Sequence, residues 1–179
     1  MNRNILVFAV VLGLSTAFGC MGAGNGQLQV VHDPFLGRRQ GFILYLEPEG
    51  FTAVGVNEAQ GKYTMEVLVV ERGMSAAIAP IGSTAQFVVG NKILTLASAL
   101  EAKPITNATP NTVITQWKLT FHLDRAQASR FAVGPMTAIK TMVGNQEYQL
   151  AITPRDAQQI QHNLQVMTSP PASSSSNNS

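Results

Sequence analysis

A single cysteine, three histidines and a charged fraction of 12% leave this 179-residue chain with little of the chemistry that side chains commonly carry. One cysteine closes no intrachain disulfide, so no disulfide framework holds the fold. His32, His122 and His162 include no pair at the i, i+4 spacing of a helical zinc site, and no metal is expected. The 12 basic and 10 acidic residues sum to +2. They are scattered, which excludes the basic footprint of a nucleic-acid binder. The adjacent pair Arg38-Arg39 reads as a solvated loop. No apolar run reaches the roughly 20 residues of a membrane-spanning helix. The glycine-rich stretch Gly22–Gly26 opens no helix and lacks a βαβ context, so it is read as a tether and no cofactor is expected.

What is present begins at the N-terminus. Met1–Asn4 carries one positive charge, at Arg3. Ile5–Leu14 is a ten-residue apolar run, and Ser15–Gly19 returns to small or weakly polar residues. This is the three-part layout of a secretory signal, assigned to residues 1–19. Its removal takes away Arg3 and no acid, leaving 11 basic against 10 acidic residues.

Cys20 follows directly. The stretch Ala17-Phe18-Gly19-Cys20 resembles the lipobox of bacterial lipoproteins, with Gly19 fitting and Ala17 standing where an aliphatic residue is usual. The resemblance implies lipid attachment on Cys20 and anchoring to a membrane through that lipid. With Met21 rather than Asp after the cysteine, it further implies delivery to the outer membrane, facing the periplasm. Ala17 and Gly19 equally satisfy the small-x-small rule of an ordinary signal peptidase, cutting at the same bond or after Ala23. A lone thiol in an oxidising compartment has no disulfide partner, which favours the acylated form. Residues 20–31 are read as the lipidated Cys and a flexible tether.

The body, residues 32–167, reads as one β-rich domain, and residues 168–179 (TSPPASSSSNNS) as a disordered tail. Residues 32–39 are expected to form an entry loop. Gly41–Leu46 and Phe51–Val56 form a hairpin around Glu47-Pro48-Glu49-Gly50, and 57–61 form a turn. Lys62–Arg72 places Tyr63, Met65, Val67 and Val69 on one face. Ala85–Val89 and Lys92–Ala97 flank Gly90-Asn91 as a second hairpin. Residues 103–111 read as a loop. In Thr112–Leu123, Trp117, Leu119, Phe121 and Leu123 alternate with polar residues, predicting a strand with one buried and one wet face.

Asp124 caps a short helix over 125–132, with Gln127 completing a capping box and Gly134-Pro135 stopping it. Met136–Val143 and Gln146–Ile152 form a third hairpin. Thr153 and Pro154 start a last helix whose Ala157, Ile160, Leu164 and Met167 share one side. The fold class is therefore α+β: mainly antiparallel hairpins, with one short helix and a C-terminal helix packed on the sheet.

Two arrangements of residues suit catalysis. His122 and Asp124 share the polar face of one strand, where a serine would complete a triad, but no nucleophile-elbow motif supplies one. Paired carboxylates would suit glycoside hydrolysis, with Glu47/Glu49 at a turn and Glu66/Glu71 on an apolar strand. Ten dispersed acids read mostly as solubility, so no catalytic residue is assigned.

The second half, from Phe87–Leu94 through Trp117–Asp124 to Thr153–Met167, is similar in architecture to uncharacterised exported bacterial proteins, a resemblance that carries no function. The expectation is an extracytoplasmic, lipid-anchored, non-enzymatic envelope protein with a binding or assembly role and an unidentified envelope protein as partner. The alternative is a small hydrolase acting on envelope polymers, through Asp124/His122 or a Glu pair.

Overall fold

The computed structural model describes residues 26–33, 37–46, 52–110 and 112–169. The segment expected to be an export leader, Cys20, the turn expected at 47–50 and the polar residues beyond Ser169 lie outside the described residues. Within them, ten strands and two helices make an α+β fold: β1 (Gln29–Asp33), β2 (Gly37–Tyr45), β3 (Ala53–Ala59), β4 (Lys62–Arg72), β5 (Thr84–Val89), β6 (Lys92–Ala97), β7 (Ile105–Thr109), β8 (Thr112–Leu123), α1 (Arg125–Ala132), β9 (Met136–Val143), β10 (Gln146–Ala151) and α2 (Pro154–Thr168).

The strands form two antiparallel sheets, one of six strands in the order β1-β2-β3-β4-β8-β7 and one of four in the order β10-β9-β5-β6. The long pairing is β4 with β8, in register from Tyr63 opposite Leu123 to Arg72 opposite Ile114. Because alternate residues point to opposite faces, this register puts Met65, Val67 and Val69 beside Phe121, Leu119 and Trp117. Phe42, Leu44, Val54 and Val56 extend the same inner face through β2 and β3.

Against that face lie the small sheet and both helices, contributing Phe87, Ile139, Val143, Phe131, Ile160 and Leu164 to one continuous core. Phe87 meets Phe121 at 5.6 Å and Phe131 at 5.2 Å, both edge to face. Its ring therefore joins both sheets and α1 at a single point, in the geometry the aromatic quadrupole prefers. Trp117 is fully buried and donates its Nε1 hydrogen to the Ala77 carbonyl at 2.8 Å, so its one polar atom is satisfied.

Both helices begin as their caps dictate. Asp124 accepts from the Gln127 backbone N–H at 2.7 Å, and the Gln127 side chain accepts from the Asp124 N–H at 3.0 Å, closing the capping box. Thr153 accepts from the Asp156 N–H, and Pro154 opens α2. Ala157, Ile160, Leu164 and Met167 are all buried, as their spacing requires.

Several boundaries differ from the sequence reading. Of the entry loop expected over 32–39, residues 32–33 and 37–39 are strand: β1 pairs with β2 from Gln29 opposite Gly41 to Asp33 opposite Gly37, which places Arg38 and Arg39 in β2, and residues 34–36 lie outside the described residues. The tether expected over 20–31 is fixed from Gly26 onward. Its N–H donates to the Ile43 carbonyl at 3.0 Å, and its carbonyl accepts from the buried Asn163 amide at 2.7 Å. The loop expected over 103–111 contains β7, an exposed edge strand paired with β8. Edge strands tolerate the Thr, Asn and nearby Pro that made this stretch read as loop. The turn expected over 57–61 narrows to Gln60-Gly61, with φ of 54° and 77°, the two positive values that a tight two-residue hairpin requires.

Replacing Phe87 with Ala removes the ring that three layers share. The expected loss is about 3–5 kcal/mol of unfolding free energy, seen as a lowered denaturant midpoint at unchanged slope.

Candidate functional site

The polar face of β8 is the feature the sequence reading misjudged. It was expected to be wet, yet Gln116 and Thr120 are 2% and 4% exposed. The opposite residues on β4 behave alike: Leu68 is buried, and Glu66 is only 4% exposed. Face parity carries this outer surface across four strands. Tyr45 and Ile43 of β2 stand opposite Ala53 and Gly55 of β3, and these stand opposite Leu68 and Glu66 of β4. Leu68 and Glu66 in turn stand opposite Lys118 and Thr120 of β8.

Ile43, Ala53 and Leu68, with Tyr45 and Val70 beside them, form an apolar cluster separate from the main core. Both helices and the small sheet contribute to the main core on the other face.

Polar atoms interrupt this apolar patch. Lys118 Nζ reaches Glu66 Oε1 at 3.2 Å, with side chains 27% and 5% exposed. The second oxygen, Glu66 Oε2, is enclosed and has no hydrogen-bond partner. The same holds for Tyr45 Oη, Asn57 Oδ1 and Gln116 Oε1. All four residues project from the outer face, since Asn57 lies two residues beyond Gly55 and Gln116 stands opposite Val70. A buried polar atom without a partner is costly, and four of them lie on this one face. Burial pushes the Glu66 carboxyl above its ordinary value, with the Lys118 charge and hydrogen bond opposing that rise. Burial likewise raises the Tyr45 phenol.

His122 is exposed at the end of the outer face, opposite Thr64. His122, Asp124 and Thr64 line one open cleft of about 510 Å³ with Gly61, Lys62, Tyr63 and Leu123. No hydrogen bond joins these three groups, and Asp124 Oδ1 is committed to capping α1. The hydroxyl brought beside His122 is thus a threonine's, outside any triad geometry. Glu66 and Glu71 project from opposite faces of β4. Glu71 accepts from the Tyr148 hydroxyl at 2.7 Å on the inner side, so this pair cannot flank one bond. Glu47 and Glu49 lie outside the described residues, as does Cys20. Among the described residues, no three His, Cys, Asp or Glu side chains converge as a metal site, and no helix is long and apolar enough to cross a membrane.

A second cleft, of about 480 Å³, opens between α1 and the β5–β6 hairpin. It brings Lys92 and Arg130 over Val89, Leu94 and Val133.

Comparison with family models, curated proteins and solved structures finds none that matches the chain.

Sequence reasoning considered Glu66 only as one of a carboxylate pair with Glu71, and did not single out Gln116. The available signal was a lone Glu within the apolar strand Met65–Val70, with a Lys at the matching position of the next long strand.

Replacing Glu66 with Gln tests its environment through pH. A carboxyl raised in the folded state favours the protonated form there, so its contribution is full below the ordinary carboxylate range and falls as pH rises through the folded value. From pH 4 to pH 7 the wild type should therefore lose stability relative to Glu66→Gln. Urea unfolding of both proteins at the two pH values checks this; a gap independent of pH would show that Glu66 does not titrate in a buried site.

Proposed function

We propose that this protein is an extracytoplasmic envelope component, anchored through a lipid on Cys20, that binds a polypeptide partner rather than catalysing a reaction. The address rests on the charged, apolar and small-residue segments of residues 1–19 and on the position of the one cysteine directly after them. In that processed form residues 1–19 are gone and the domain is held near the bilayer. Five residues separate Cys20 from Gly26, a reach of at most ~20 Å in extended chain.

The binding role rests on one observation: the outer face of the six-stranded sheet combines an apolar patch with four enclosed, unpartnered polar atoms. A face that serves only to be solvated carries neither in such concentration. An interface core does, with the partner supplying the missing hydrogen bonds and a polar rim closing around it. The hydrolase alternative gains no comparable support. Among the described residues Asp124 is committed to capping α1, and Glu66 and Glu71 lie on opposite faces of β4.

Two measurements test the two halves. Intact mass should show the mature chain beginning at an acylated Cys20, and Cys20→Ser should shift the protein from the membrane to the soluble fraction. An unacylated chain beginning at Gly24 would overturn the anchor. For the role, a photoreactive residue in place of Leu68 should crosslink an envelope polypeptide in cells, and the same residue at the solvent-facing Glu101 should not. Cleavage of an envelope polymer by the purified protein, with no polypeptide captured at position 68, would overturn the binding reading.

A further inference from the structure

The four-stranded sheet ends on a strand whose free edge is open. β6 is last in the order β10-β9-β5-β6 and pairs with β5 alone. Ser98, directly after β6, donates its N–H to the carbonyl of Ser83, directly before β5, at 2.8 Å. Backbone groups alternate sides along an antiparallel strand, so Leu96, Leu94 and Lys92 also turn theirs to β5. The N–H and C=O groups of Ile93, Thr95 and Ala97 therefore point away from the sheet, and all three residues are exposed, Ile93 by 65%.

Such a row is a template for another strand, and sheet edges are usually blunted by proline or charge. β7 lies between Pro104 and Pro110, β1 carries Asp33, and β10 carries Glu147. β6 has neither proline nor acid. Four of its six residues are apolar, and its one charge, Lys92, stands at the turn end.

Beside this edge opens the cleft of about 480 Å³. Phe131 sets α1 on Phe87 of β5. The helix residues lining the cleft, Ala126, Ser129, Arg130 and Val133, follow the i, i+3, i+4, i+7 spacing of one stripe. A helix is about 10 Å across and strands lie ~4.8 Å apart, so a stripe on the flank of α1 stands over β6 and overlooks the place of a further strand. Leu94 and Lys92, on the same face of the hairpin as Phe87 and Val89, form the opposite wall. Alternate side chains of an added strand would enter this space.

Charge and backbone together select the occupant. Lys92 and Arg130 border the cleft from the hairpin and the helix, above Val89, Leu94 and Val133. No acid lines it, and neither cation forms an ion pair among the described residues. The complement is an anion beside an apolar group. β6 of a second copy would bring another lysine and no acid. An anionic amphiphile would answer the cleft but leave the outward backbone row to water. An extended polypeptide answers both.

We propose that β6 is the docking edge for an extended segment of a partner protein, which adds a fifth strand to the small sheet and sends an apolar and an acidic side chain, two residues apart, into the cleft beside α1. The acid lies between Lys92 and Arg130. This contact is separate from the outer face of the six-stranded sheet.

The test is a titration of the nitrogen-15-labelled full-length protein with the capped peptide Thr-Leu-Thr-Leu-Thr-Glu-Thr. Paired antiparallel, it sets its second leucine opposite Leu94 and its glutamate opposite Lys92. The amide resonances of Ile93, Thr95 and Ala97 should shift, and their hydrogen exchange should slow. N-methylation of the third and fifth peptide residues, whose amides face β6, should abolish binding. N-methylation of the second and fourth, whose amides face away, should leave it unchanged. Replacing the glutamate with glutamine should weaken binding about fivefold at low salt, the size of an exposed ion pair, and high salt should close that gap. Lys92→Gln combined with Arg130→Gln should erase the preference for glutamate. Both side chains are exposed, and the peptide series needs no change in the protein, so the result does not depend on the variant folding.

Equal effects of N-methylation on either edge of the peptide, equal binding of the glutamate and glutamine peptides, or unmoved amides at Ile93, Thr95 and Ala97 would each overturn the docking edge. So would decanoate that fills the cleft and excludes the peptide, or a dimer that protects the same three amides with no peptide present. Capture of a partner at position 68 involves the other sheet, so the two readings stand or fall separately.

Discussion

The ten-pair register between β4 and β8 is the constraint on which the rest of the molecule depends. Side chains along a strand alternate faces, so a slip of one residue would send Met65, Val67 and Val69 outward and bring Glu66 inward. In the observed register the inner face is uninterrupted by charge through the centre of both strands. That permits the small sheet and both helices to close over it, with Phe87 touching Phe121 and Phe131 at the junction. The same register sets Lys118 next to Leu68, close enough to reach Glu66 at 3.2 Å. Core and candidate site are thus two consequences of one pairing.

The two faces follow different physics. On the inner side Trp117 Nε1 meets a carbonyl, Tyr148 Oη meets Glu71 and Asn163 meets Gly26, while Asp156 Oδ2 of α2 is enclosed without a partner. The outer face holds an apolar patch and a buried ion pair, and its remaining acceptors have no donor. Buried ion pairs contribute little net stability, because desolvation offsets most of the attraction. A stability argument alone would replace Glu66 and Lys118 with apolar residues. Under the proposed binding role, an unmet acceptor would discriminate among partners by penalising any that bring no donor.

Much of the fold was legible in the sequence because its signals are local. A capping box needs residues 124–127 only, and a helix face repeats within two turns. A Gly-Asn pair between apolar runs sets the β5–β6 and β9–β10 hairpins. Other elements were not legible because their cause is distant. β1 and β7 are strands by virtue of the neighbours they pair with, β2 and β8, and nothing within Gln29–Asp33 or Ile105–Thr109 announces that pairing. Gly26 is held by Ile43 and Asn163, seventeen and 137 residues away, so a glycine-rich stretch read as tether is in part structure.

By itself the sequence determined the antiparallel, hairpin-built character of the domain, its two capped helices and the residues of its inner core. It also carries the export layout ending at Cys20, the ground for the proposed address. Only the tertiary structure decided that the alternating strand Thr112–Leu123 is buried on both faces. Periodicity reports the polarity of a side chain and is blind to what lies over it. Thr120 and Lys118 read as solvated for that reason, and the pairing of β8 with β4 sets Lys118 3.2 Å from Glu66, a contact that no local pattern announces.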